Sequence, residues 1–270
     1  PTSETVHQEP ALSLRVALFS PLILLLASST AAQPPSGGPP SGPQWSVGLG
    51  VIGSPEPYVG IDGVEYQAIP VVTFRSGRFA FEGIRLSYAL VDAEPWEVKL
   101  LAQPRFFGYD AEDSPFLAGM EDREISAEGG VEMTWQPRQT GLSLTLLHDL
   151  LDRHGGGEAQ LALFHDFQVG RRLRLTPQVA AVWQSDDLLD YYFGVRPEEA
   201  LPGRPAYRPG AQVSWQAGVQ AFWLLPWGQG QRWTLFGLVQ GERLAGDVER
   251  SPIVADDTAV TLLAALTYRF

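Results

Sequence analysis

The feature that most constrains this chain is a two-residue rhythm: apolar and polar residues alternate through windows of ten or more residues along most of its length. Successive strand residues point to opposite faces, so this rhythm sets a greasy face against a polar one. In Gln212 to Trp223, Val213, Trp215, Ala217, Val219, Ala221 and Trp223 oppose Gln212, Ser214, Gln216, Gly218 and Gln220. Trp96 to Phe106, Arg123 to Trp135 and Arg172 to Gln184 read the same way. In Arg78 to Leu90 the phase slips once near Gly83, as a bulge would make it.

A soluble β-sandwich also alternates, but its strands usually run to about five or six residues. The windows here are long enough to cross a bilayer at a tilt. Trp45, Tyr66, Trp96, Trp135, Trp183, Trp215, Trp223, Trp233 and Tyr268 fall near window ends, where the two lipid interfaces favour aromatic rings. The expected class is therefore all-β, a transmembrane antiparallel β-barrel. About eleven windows can be counted, and bacterial single-chain barrels have even strand numbers. Asp190 to Arg196 (DYYFGVR) is the expected addition, giving about twelve strands; ten is the alternative if two weak windows are loops. Longer connections fall at Ser54 to Glu65, Tyr109 to Glu121, Pro197 to Pro209 and Ala245 to Asp257. Strand parity puts all but the second outside the cell and makes Gly228 to Gln231 a periplasmic turn.

Residues 1–32 read as a signal peptide: Arg15 precedes the apolar run Val16 to Ala27, and Thr30 and Ala32 are spaced for cleavage near Ala32. That run is too short for a membrane span, and Pro21 interrupts it. Residues 33–44 form a Pro/Gly/Ser linker with nothing to bury, and 45–270 is the barrel domain. The destination expected is the cell outer membrane of a Gram-negative-type envelope. A net charge of -12 argues against nucleic acid as a partner, because phosphate binding needs clustered Lys and Arg. With no Cys, the chain has no disulfide, thiol nucleophile or cysteine zinc site.

Catalytic and metal chemistry find little footing. His148 and His165 are each followed by Asp, but neighbouring strand residues point apart, so neither Asp can easily orient its His. No GxSxG occurs. The acidic groups Asp186, Asp187 and Asp190, and Asp110, Glu112 and Asp113, read as solvated loop charge rather than a calcium site. No catalytic residue, cofactor or metal is expected. The inward face is expected to carry Glu124, Glu128 and Glu132 on one strand and Arg105, Arg172, Arg174 and Arg269 on others. In a narrow lumen such charges pair into a plug or line a thin water path.

The final strand, Thr258 to Phe270, is amphipathic and ends in aromatic-x-Phe, Tyr268 and Phe270. This resembles the signal that hands outer-membrane proteins to the barrel-assembly machinery. The stretch DYYFGVRPEEALPGRPAYRP, with Tyr191, Tyr192, Gly194, Val195 and Tyr207, resembles the MipA/OmpV family, named for MltA-interacting protein. PEPYVGIDGVEYQAIPVVTFRSGRF, LAGMEDR, ERLAGDVERSPIV and the closing LTYRF agree in order, so the likeness covers Trp45 to Phe270. Phe193 stands where a second glycine-flanked Tyr is common in the family. The resemblance implies a barrel in outer-membrane lipid without known catalysis, and a scaffold role joining a murein transglycosylase to a penicillin-binding protein. The other readings are a narrow pore for small solutes and a lipid-modifying hydrolase.

Overall fold

The computed structural model describes residues 42–61, 63–228, 232–244 and 246–270. The expected signal peptide, and all but the last three residues of the expected linker, lie outside the described residues.

The strands are β1 (Gln44–Pro55), β2 (Val64–Ser76), β3 (Phe79–Glu82), β4 (Arg85–Ala93), β5 (Trp96–Arg105), β6 (Ser126–Trp135), β7 (Thr140–Asp149), β8 (Gly157–His165), β9 (Phe167–Val169), β10 (Leu173–Gln184), β11 (Gln212–Leu224), β12 (Trp233–Arg243) and β13 (Thr258–Arg269). An α-helix, α1 (Asp186–Phe193), and a short 3-10 turn, Pro197–Glu199, lie between β10 and β11. β8 and β9 are two lengths of a single stave, since both pair with β10; the ladder pauses near Asp166, where Pro177 has no N–H to offer. Neighbouring staves pair antiparallel in chain order, and β13 returns to β1 in the register Ser46↔Arg269 to Gly53↔Leu262. The sheet closes as a barrel of twelve staves with no free outer edge in its strand order.

The total of twelve is reached differently from the sequence reading. Gly83 is a turn rather than a bulge: at φ 67° it sits in the left-handed region that favours glycine, and the chain reverses there from β3 into β4. Asp190 to Arg196, in contrast, is not a strand, because Asp186–Phe193 is helical. One strand missed and one invented offset each other in the count but not in sidedness. Tyr109 to Glu121 therefore lies at the same barrel end as the other three long connections. Connections at the end holding both termini are short, as periplasmic turns are, so the long ones face outward.

Alternation gives the wall its two faces. Leu49, Leu161, Leu163, Val179, Val239 and Leu262 stay exposed on the outside, whereas Ser143, Gln160, Gln178, Ser214 and Gln240 are buried inside. Exposed aromatics ring both ends, Trp45, Trp96, Trp135 and Trp223 toward the termini and Tyr66, Trp183 and Trp215 toward the long loops. Trp215 and Trp223, eight residues apart on one tilted strand, span about 20 Å of depth, close to the apolar band of a membrane barrel. Among the described residues no helix is long and apolar enough to cross a membrane.

Candidate functional site

The outward end of the barrel is capped. Helix α1 starts where the Ser185 side chain accepts the Leu188 N–H, with Asp186 and Asp187 in its first turn, where a helix favours negative charge. Its Leu188, Leu189, Tyr192 and Phe193 are buried against Tyr58, Phe107, Tyr109, Leu117, Val248 and Ile253 from the other long connections. One apolar core thus draws together four segments that a reader of the sequence would place on separate loops. Backbone bonds stitch them: Val59 N–H to Ile253 O at 2.9 Å, Ala255 N–H to Pro57 O at 2.7 Å, and Val195 and Tyr207 reciprocally at 2.8 and 2.9 Å.

The polar hub of this lid is Glu199. Its carboxylate accepts both contacts of Arg123 Nη2 at 3.0 Å, the Glu121 N–H at 3.0 Å and the Arg196 N–H at 2.9 Å. Burial pushes this carboxyl up, but the two backbone donors and the Arg123 guanidinium outweigh it and hold the group below its ordinary range. Arg204 donates to Glu199 O at 2.8 Å and to the carbonyls of Phe116 and Ala118. Burial pushes the Tyr109 hydroxyl up to about 12 and raises Tyr58 as well, so both phenols are neutral and pack as core.

Below the lid the lumen is polar on one side. Arg105 bridges Glu128 at 2.6 Å and Glu158 at 2.9 Å, and Gln184 donates to Glu158 at 3.0 Å. Arg85 reaches Glu132 at 3.2 Å and Gln103 at 2.9 Å, and Ser214 donates to Glu242 at 3.0 Å. An apolar cluster of Ile52, Phe236, Leu238 and Leu263 lines the lumenal face of β1, β12 and β13.

Of the charges read as lumenal, Arg105, Glu128 and Glu132 meet in this network, and Arg174 faces inward lower down, its guanidinium 4.8 Å from the Phe222 ring. Three lie elsewhere. Glu124 precedes β6 and pairs with exposed Arg153 at 2.6 Å, Arg172 is exposed before β10, and Arg269 is exposed at the end of β13. Face alternation gives direction only inside a strand, and these three sit at or beyond strand ends. Tyr191, Tyr192, Gly194, Val195 and Tyr207 all belong to the lid: Tyr191 Oη accepts the Glu124 N–H at 3.0 Å, and Tyr207 Oη donates to Asp247 O at 2.7 Å. His148 and His165 point outward among leucines, as alternation requires.

Sequence reasoning passed over His154. Its side chain is fully buried at the lid's underside, 3.9 Å from both Glu128 and Asp149, with Nδ1 accepting the Gly156 N–H at 3.1 Å. Burial, then Arg105, lower its pKa to about 4. In sequence it is one polar residue in a short glycine-rich connection, which carries no signal. Among the described residues no cluster of His or carboxylates is arranged to hold a metal.

Residues 47–270 match the family described as MltA-interacting protein MipA. The chain belongs to the MipA family. The MltA-interacting protein of Escherichia coli K12 is 25% identical over 230 residues, covering 84% of this chain and 90% of that protein. Outer membrane protein Omp26La of Vibrio anguillarum is 28% identical over 162 residues, covering 60% of this chain and 61% of that one. Among solved structures, the translocator domain of autotransporter NalP from Neisseria meningitidis superposes with a TM-score of 0.47 at 11% identity, over 86% of this chain and 90% of that domain. Fold, outward aromatic girdles and relatives named as outer membrane proteins agree: this MipA-family chain is an outer-membrane β-barrel.

Proposed function

We propose that this MipA-family barrel is a non-enzymatic anchor that holds peptidoglycan-remodelling enzymes, a murein transglycosylase and through it a penicillin-binding protein, against the outer membrane. The family match across the whole barrel carries the reading, since its namesake is an MltA-interacting protein. The capped lumen fits an anchor better than an open porin. The periplasmic rim offers a contact: Trp227, in the longest connection on the terminus side, is 53% exposed. In this reading Tyr268 and Phe270, their rings in a T-shaped pair with centroids 5.3 Å apart, present the assembly machinery with its signal.

Folded barrel immobilised on beads should retain a purified MltA-class transglycosylase, and Trp227→Ala should weaken retention while heat-modifiable gel migration stays normal. No retention by the unaltered barrel would sink the anchor. A narrow pore is the second reading, favoured by the buried lumenal belt of Arg105, Glu128 and Glu158. Steady salt-dependent current through folded protein in a planar bilayer, altered by Glu128→Gln, would put the pore first; silence would leave the anchor.

A further inference from the structure

The barrel wall is incomplete on its outward half. β3 pairs with only four residues of β2, Thr73 to Ser76, before turning at Gly83, and β2 has thirteen residues, so nine of them, Val64 to Val72, have no strand on that side. β4 accompanies β5 only as far as Ala102, opposite Leu86. Two adjacent staves therefore stop partway up. β1 follows β2 to its top, Pro55↔Val64, and β6 follows β5 to Arg105↔Ser126. At the level of the β3–β4 turn, β2 and β5 stand three strand spacings apart, about 14 Å.

Backbone direction shows how this gap is built. Gly83 donates its N–H to Val72 O at 3.0 Å, so Val72 faces β3, and alternation makes Pro70 the next residue to face that side. Ala89 donates to Arg78 O at 2.9 Å and so faces β3, which leaves Tyr88 and Leu86 to face β5. Their partners Leu100 and Ala102 face β4, and the next residue of β5 to do so is Pro104. Each jamb of the gap thus begins with a proline, which has no N–H to strand in lipid, where an unsatisfied backbone donor is costly. Tyr66 of β2, 67% exposed, marks the outward aromatic girdle, so the gap above Pro70 lies within the outer-leaflet half of the membrane.

Behind the β2 side of the gap the lumen is apolar, while the lumenal face of β5 carries Gln103 and Arg105, both held by charged partners. Ile69 and Val71 on the lumenal face of β2, and Phe106 just past β5, pack on the cluster of Phe236, Leu238 and Leu263. The apolar core of the lid packs over the lumen at the same end. An opening that faces lipid and leads to a greasy surface beneath an apolar lid selects for a hydrocarbon chain. We propose that the gap between β2 and β5 is a lateral window through which an acyl chain of an outer-leaflet lipid lies in the lumen against Val71, Leu238 and Leu263.

The chain has no Cys, so single cysteines can be labelled selectively. Full-length Val71→Cys, Thr145→Cys and Leu163→Cys proteins, labelled with bimane while unfolded, would be refolded into vesicles of phosphatidylcholine brominated at mid-chain, with heat-modifiable migration as the folding control. Thr145 faces the polar lumen and Leu163 faces lipid. The window predicts that bimane at 71 loses as much fluorescence as bimane at 163, while bimane at 145 keeps its emission. Quenching at 71 no stronger than at 145 overturns the proposal, and so does equal quenching at all three positions. If Val71→Cys does not refold, Ile69→Cys on the same face is read against the same two controls.

Discussion

Glu199 shows how much of the lid one side chain can carry. Glu199→Ala would leave the Arg123 guanidinium buried without its carboxylate and two backbone N–H groups without an acceptor, a change that costs about 3–5 kcal/mol at buried pairs. The expected outcome is an intact barrel with a loosened lid, seen as normal heat-modifiable migration together with rapid proteolysis between Phe193 and Gln212. His154 sets a pH dependence. Its pKa in the folded protein, about 4, lies below its ordinary 6.5, so the unfolded chain binds the proton first. Stability held by the neutral ring is complete above about pH 6.5 and drains away toward pH 4, by up to about 3 kcal/mol. His154→Gln keeps an acceptor for the Gly156 N–H but takes up no proton, so thermal unfolding of the variant should fall less between those pH values than that of the unaltered barrel. Equal slopes would remove His154 from the account. At this scale the sequence revealed Arg105, Glu128 and Glu132 because alternation inside a strand is a geometric fact. It could not reveal Glu199, whose partners Arg123 and Glu121 come from another connection, or His154, which is buried beside Glu128 of a different strand.

At the scale of elements, what misled the reading was chemistry that two structures share. The aromatic residues of DYYFGV favour strands, yet Leu188, Leu189, Tyr192 and Phe193 sit at helical spacing, and Ser185 with two aspartates behind it is a helix start. Packing under the lid resolves the ambiguity, and local sequence does not. Ser185 also accepts the Gly157 N–H at 3.0 Å, so one hydroxyl joins α1 to β8. Ser185→Ala should cost about 1 kcal/mol and expose α1 to protease before the barrel itself yields. A cleavage rate unchanged from the parent would show that the hydrophobic face alone seats the helix. The reverse case is Gly83, where a turn of two residues mimics a phase slip and only the pairing partners distinguish them.

The whole molecule is closed by contacts between its first and last strands, and here the sequence was most legible: a hydrophobic period of two sustained over long windows leaves little besides a barrel. Gly48 lies at that seam, where any side chain would land on the backbone carbonyl of Leu266. Gly48→Val should keep β1 from β13, and should also leave α1 and the 244–257 connection open to protease, although the substitution sits near the opposite end. Protection of α1 in a barrel that fails to close would refute this linkage. The linkage has a bearing on biogenesis. Tyr58 follows the first strand, Ile253 precedes the last, and the lid needs both together with Tyr192. No half-built intermediate can seat it. A seated lid therefore reports a completed circle: a chain whose first and last strands have not met should leave these loops open to added protease.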